Sequence, residues 1–285
     1  MQKYKISTAK TLGCVGICFL LFLAGDLFCS LVFDLIFSAI TLPSSEWYVI
    51  LRMLGCLVFT FFFFWCYTTK CLHLKMEDFG ITFQLRKWGI ILAVLLPTFV
   101  AAAFLPFGKM ERNEFSFGEL VLAVTASALT ALKAGLLEEM LFRGFIMKLL
   151  ENRWNQLTAI LLPSVIFGMA HLPAMEQFTV DGVLLLAVSG TLVGIMFSLA
   201  AYRGRSISNS ALIHAVWNFV MVTSILHITT AQEAYGKPLF QLTIPSDHIL
   251  LTGAGFGTEA SIIAMIGYAA ACVFILLCSK REISG

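Results

Sequence analysis

Charge is what this chain has least of. Only 13% of its 285 residues are Asp, Glu, Lys or Arg, while 59% are hydrophobic, against about 25% charged and 45–50% apolar in soluble domains. No basic tract is present, which argues against nucleic acid as a partner. No His-Glu-x-x-His excludes the usual single-helix zinc site, and no Gly-x-Ser-x-Gly excludes a nucleophile elbow. Gly253-Ala254-Gly255-Phe256-Gly257 lacks the Lys and Ser or Thr that a phosphate loop requires. Eight cysteines include no Cys-x-x-Cys pair. They read as small apolar packing residues rather than a disulfide framework or a zinc-thiolate site.

What remains is long apolar runs, with a mean hydropathy of +0.89. About 20 apolar residues span a bilayer as a helix. The runs predict an all-α polytopic membrane protein with about eight spans: Thr11–Ile40, Trp47–Tyr67, Trp88–Phe107, Phe117–Leu149, Leu157–Leu172, Val180–Ala201, Ile207–His227 and Thr258–Cys278. The fourth is long enough to need tilt, a break or an extension. Alternate connections hold Lys3, Lys5 and Lys10; Lys70, Lys75, Arg86 and Lys87; Lys148 and Arg153; Arg203 and Arg205; and Lys280 and Arg281. The others hold only Lys109, Arg112 and Lys237. Positive charge favours the cytoplasmic side, so both termini are expected there. The chain reads as one integral-membrane domain, 1–285, without a signal peptide. Gly190-x-x-x-Gly194 is a helix-packing face.

Against this background, Glu138 and Glu139 stand out inside the fourth span. Ionisable groups at membrane depth are costly and usually face a polar cavity. Glu139 and Arg143 are four apart with the acid first, the favourable order for pairing. Glu138 is turned about 100° away and is free to face polar groups of other spans. Phe167-x-x-x-His171 and His214-x-x-x-Asn218 supply such groups, and four-residue spacing puts His214 and Asn218 on one face. At 1.5 Å per residue, Glu138, His214 and His171 lie roughly 15, 12 and 20 Å from the cytoplasmic ends of their spans. A hydrolytic centre open to the cytoplasm is the expectation. A carboxylate or imidazole can activate water there, and Asn218 and His214 can donate to an oxyanion. Alternatively, Glu138, His171 and His214 could hold zinc. Ser164 and Ser210 are weaker nucleophile candidates. Asp34 and Arg52 are placed to pair with each other, and Asp26 has no assigned partner.

The three ordered motifs, Glu138-Glu139-x-x-x-Arg143, Phe167-x-x-x-His171 and His214-x-x-x-Asn218, resemble the signature of the CPBP intramembrane metalloproteases. That family includes CAAX-prenyl endopeptidases and bacterial bacteriocin-processing and immunity (Abi) proteins. The resemblance covers 117–227, the expected catalytic core. It implies that Glu138 with His171 activates water, and that His214 and Asn218 polarise the scissile carbonyl. Glu139, Arg143 and Phe167 would support them. It further implies a peptide or protein substrate met among membrane lipids, either a prenylated protein or a bacteriocin or pheromone precursor, and a bacterial cell membrane as the location. The zinc requirement stays open. Two other classes compete: a non-catalytic immunity or regulatory scaffold, and a proton- or cation-coupled transporter. The missing internal symmetry counts against the transporter.

Overall fold

The computed structural model describes residues 7–40, 42–175, 178–230 and 237–281. The expected cytoplasmic termini fall partly on 1–6 and 282–285, outside the described residues. The architecture is that of an all-α polytopic membrane protein. Its helices are α1 (Thr8–Ala39), α2 (Ser45–Cys66), α3 (Lys87–Phe104), α4 (Phe117–Glu139), α5 (Met147–Arg153), α6 (Gln156–Ala170), α7 (Val180–Gly204), α8 (Ser208–Met221), α9 (Ile249–Thr252) and α10 (Ile262–Arg281).

Polar side chains set the starts of the inner helices. Ser116 and Glu119 form a reciprocal capping box at α4, Asn155 caps α6 and Thr179 caps α7. Each satisfies amide donors that a helix start leaves open. α4 runs through a seven-residue π-helical stretch, Met140–Ile146, into α5. The joined rod, Phe117–Arg153, has 37 residues and is about 55 Å long. The rod is continuous, so of the tilt, break or extension expected of the fourth span it has no break.

Among the described residues, six helices are long and apolar enough to cross a membrane. The two remaining expected spans are shorter. The seventh, expected over Ile207–His227, is a helix of only 14 residues, Ser208–Met221, about 21 Å long. It ends where the amides of Val222 and Thr223 both donate to the carbonyl of Asn218. The chain then enters a strand, so His227 is not helical. The eighth has its apolar part at Ile262–Cys278. α8 is wedged against α3, α4 and α7, so its length answers to protein neighbours rather than to bilayer thickness.

A small sheet was not legible in the apolar runs. β1 (Lys109–Arg112), β2 (Leu226–Thr229) and β3 (Phe240–Thr243) lie in the order β1-β3-β2. β1 pairs antiparallel and β2 parallel with β3. The sheet marks one end of the molecule. The opposite end gathers the start of α1, the end of α5 and the α7–α8 turn. There Arg153 donates to Thr8, Ser206 and Ser208 donate to the carbonyl of Thr82, and Asn209 accepts from the amide of Arg86.

Close helix approach depends on glycine. A Cβ on Gly135 would meet the Ala215 amide nitrogen at 2.7 Å and the Ala211 carbonyl oxygen at 2.8 Å, so α4 and α8 touch backbone to backbone. Gly190 would likewise meet Gly168 Cα at 2.5 Å, and Gly194 would meet Ser164 Cα at 2.8 Å. The Gly190-x-x-x-Gly194 face thus seats α7 on α6. All eight cysteines are free. Asp26 approaches Lys133 at 3.0 Å and Arg52 at 4.0 Å. Arg52 therefore turns to Asp26 and Ser30 rather than to Asp34, which accepts from the Tyr48 hydroxyl at 2.6 Å.

Candidate active site

The Gly135 contact brings the end of α4 beside the middle of α8, and the two glutamates meet His214 there. Arg143 Nη1 donates to Glu139 Oε1 at 2.8 Å, and both side chains are 0% exposed. Arg143 Nη2 donates to the Gly194 carbonyl at 3.0 Å. The guanidinium sits 4.5 Å from the Phe167 ring centroid, 5.2 Å from Phe197 and 5.6 Å from Phe142. Aromatic faces on this scale attract a dehydrated cation. The π-helical turn that carries Arg143 wraps it inward, and such turns are frequent at functional sites.

Glu139 has a second partner. His214 Nδ1 lies 3.1 Å from the same Oε1. A carboxylate paired with a guanidinium accepts, so Nδ1 carries the hydrogen and Nε2 points elsewhere. That nitrogen is 3.9 Å from Glu138 Oε2. The His214 ring is also stacked on Phe197, centroids 4.7 Å apart and 15° from parallel. On α6, His171 Nδ1 lies 2.8 Å from the Phe167 carbonyl. A carbonyl only accepts, so this nitrogen is the protonated one. In the neutral ring, Nε2 therefore keeps its lone pair.

Glu138, Phe167, His171, His214 and Asn218 all line one cavity of about 290 Å³. Glu138 is 22% exposed, whereas Glu139 and Arg143 are sealed behind the wall. The two adjacent acids thus separate as their spacing predicts, with one addition: Glu139 is bonded to His214 as well as to Arg143. Ser164 donates to the Ile160 carbonyl and Ser210 to that of Ile207. Neither is among the cavity's lining residues.

Three further lining residues, Trp217, Glu259 and Tyr268, escaped sequence reasoning. The Trp217 indole N–H donates to Glu259 Oε1 at 2.6 Å, and the Tyr268 hydroxyl donates to the Glu259 carbonyl at 3.2 Å. Glu259 lies in the turn before α10. In the sequence it is only an acid at the start of an apolar run, where a helix N-terminus favours negative charge. No motif spacing connects it to His214.

Zinc would require Glu138, His171 and His214 as a ligand group. Among the described residues, no group of three or more His, Cys, Asp or Glu is placed to hold a metal ion.

Residues 119–220 match the family model of type II CAAX prenyl endopeptidases, Rce1-like. The matched segment contains all three motifs. No curated protein matches the chain significantly.

Proposed function

With residues 119–220 as a segment of the Rce1-like CAAX endopeptidase family, we propose that this integral membrane protein is an intramembrane endopeptidase. It hydrolyses a peptide bond of a membrane-associated or prenylated protein or peptide, using a water activated by Glu138 and His171. The convergence of Glu138, His171, His214 and Asn218 on one cavity carries this reading.

The water sits in the cavity between the Glu138 carboxylate and His171 Nε2, and one of them takes its proton as oxygen attacks the carbonyl carbon. Positioned general bases contribute about 10²–10⁴-fold. The resulting oxyanion accepts from the Asn218 carboxamide and from His214 Nε2–H when that ring is protonated. Preorganised donors of this kind are worth roughly 10²–10³ in kcat each. The abstracted proton passes to the leaving amine as the C–N bond breaks. Glu139 and Arg143 hold the His214 ring in place and touch no substrate. A bacterial cell membrane, and a bacteriocin or pheromone precursor as substrate, extend the same reading.

The test is cleavage of a membrane-peptide library by the purified protein beside Glu138→Ala, His171→Ala and His214→Ala, with and without a chelator. Activity confined to the parent supports the reading. Equal activity in all four proteins, or none in any, defeats it. Loss on chelation that zinc restores would reinstate a metal-bound water.

A further inference from the structure

The cavity lining runs in one direction along α6, α7 and α8. On α8 it passes from His214 through Asn218 to Val222, away from the Arg203–Arg205 turn. On α7 it runs from Phe197 back to Leu186, toward the helix start. On α6 it goes from Phe167 to His171 and on to Ala174, past the helix end. Glu259 comes from the turn before α10, and Tyr268 from the second turn of that helix. The exposed lining residues, Ala174 and Val222, lie past His171 and past Asn218, whereas Phe197 and His214, and Leu186 on α7, are buried. The mouth is therefore at the sheet end.

The charge of the two ends differs. Arg86 and Lys87, Lys148 and Arg153, and Arg203 and Arg205 all lie at the end opposite the mouth. The sheet end has Lys109, Arg112 and Lys237, set among Glu111, Glu114, Glu119 and Asp247. Lys and Arg in short loops mark the cytoplasmic side.

We propose that the cavity opens to the non-cytoplasmic side, so that its substrate is a peptide presented from there: an exported peptide, or the outward flank of a membrane-inserted segment. This reverses the expectation of a cytoplasm-facing centre. The expectation rested on depths along individual helices, which do not show where the walls part. The substrate class rests on the endopeptidase reading; the sidedness does not.

Thiol labelling separates the two. Cys71 is exposed at the basic end and the seven other native cysteines are buried or half-buried, so Cys71 is an internal marker for that side. Val222→Cys marks the mouth, and Ala174→Cys replaces it if that variant fails to accumulate. With a membrane-impermeant maleimide, right-side-out vesicles should label the mouth cysteine and inverted vesicles should label Cys71. Labelling of both from one side, or the reverse assignment, overturns the proposal. An impermeant quenched peptide should be cleaved at least about tenfold faster by right-side-out than by inverted vesicles. Cleavage confined to inverted vesicles also overturns the proposal. No cleavage in either defeats the endopeptidase reading and leaves the labelling to decide the side.

Discussion

The carboxylate oxygen of Glu139 that receives the Arg143 guanidinium at 2.8 Å also lies 3.1 Å from His214 Nδ1. One buried atom thus joins α4, its π-helical extension and α8. The neighbouring carboxylate, Glu138, stands near the other ring nitrogen. Two consecutive residues therefore flank one imidazole, one from behind the wall and one from within the cavity. Their consequences on mutation should differ in kind.

Arg143→Met leaves Glu139 fully buried and without its guanidinium partner. Removing one member of a buried ion pair costs about 3–5 kcal/mol. The variant should show a markedly lower melting temperature in detergent, or fail to accumulate. Adding Glu139→Gln should restore most of the melting temperature without restoring cleavage, because His214 has lost its anionic partner. A single Arg143→Met variant that melts like the parent would show that the pair contributes nothing to stability.

Glu138→Gln preserves size at a partly exposed position, so the fold should survive with an unchanged melting temperature. Cleavage should fall by about 10²–10⁴-fold, the range of a lost general base. Comparable rates in variant and parent, measured on the same peptide, would remove Glu138 from the chemistry.

Asn218→Ala tests the oxyanion role separately. A donor that acts only on the developing charge affects kcat, not substrate binding. The expected result is a drop of roughly 10²–10³ in kcat with KM nearly constant. A rise in KM alone would reassign Asn218 to ground-state binding.

The legible parts of this molecule were those written in local spacing. Apolar runs located the membrane helices, and four-residue intervals put Glu139 with Arg143 and His214 with Asn218. Sidedness and long-range pairing were not local. The Glu139–His214 bond crosses 75 residues and depends on the glycine contact between α4 and α8, which hydropathy does not encode. The π-helical stretch after Glu139 carries no sequence mark. The seventh span read as full length because its hydropathy continues into β2, whose Leu226 and Ile228 are buried in the protein rather than in lipid. Asp26 drew no partner because Lys133 reaches it from α4, more than 100 residues away.

Gly135 makes that long-range geometry testable. A methyl group there would press on α8 backbone atoms at 2.7 and 2.8 Å, and backbone cannot rotate aside. Gly135→Ala should force α4 and α8 apart and draw His214 away from both glutamates. Misplacement of about 1 Å can cost on the order of 10²-fold in rate. Cleavage should therefore fall far more than the melting temperature. If both are unchanged, the helix contact does not set the site.

Glu259 is the most informative remaining position, because its two roles can be uncoupled. As a wall element it accepts the Trp217 indole N–H. As an acid it joins Glu138 in a lining that, among the described residues, contains no Lys or Arg. Glu259→Gln keeps a carbonyl oxygen for the indole and removes only the charge, whereas Glu259→Leu removes both. If the charge selects substrate, the parent should favour peptides with Lys or Arg beside the scissile bond. Glu259→Gln should then raise KM for those peptides by up to about tenfold, a difference of ~1.4 kcal/mol, and leave neutral peptides nearly unaffected. Glu259→Leu should impair all peptides alike, through Trp217. A uniform loss in Glu259→Gln would assign the residue to wall support alone and take charge selection away from it.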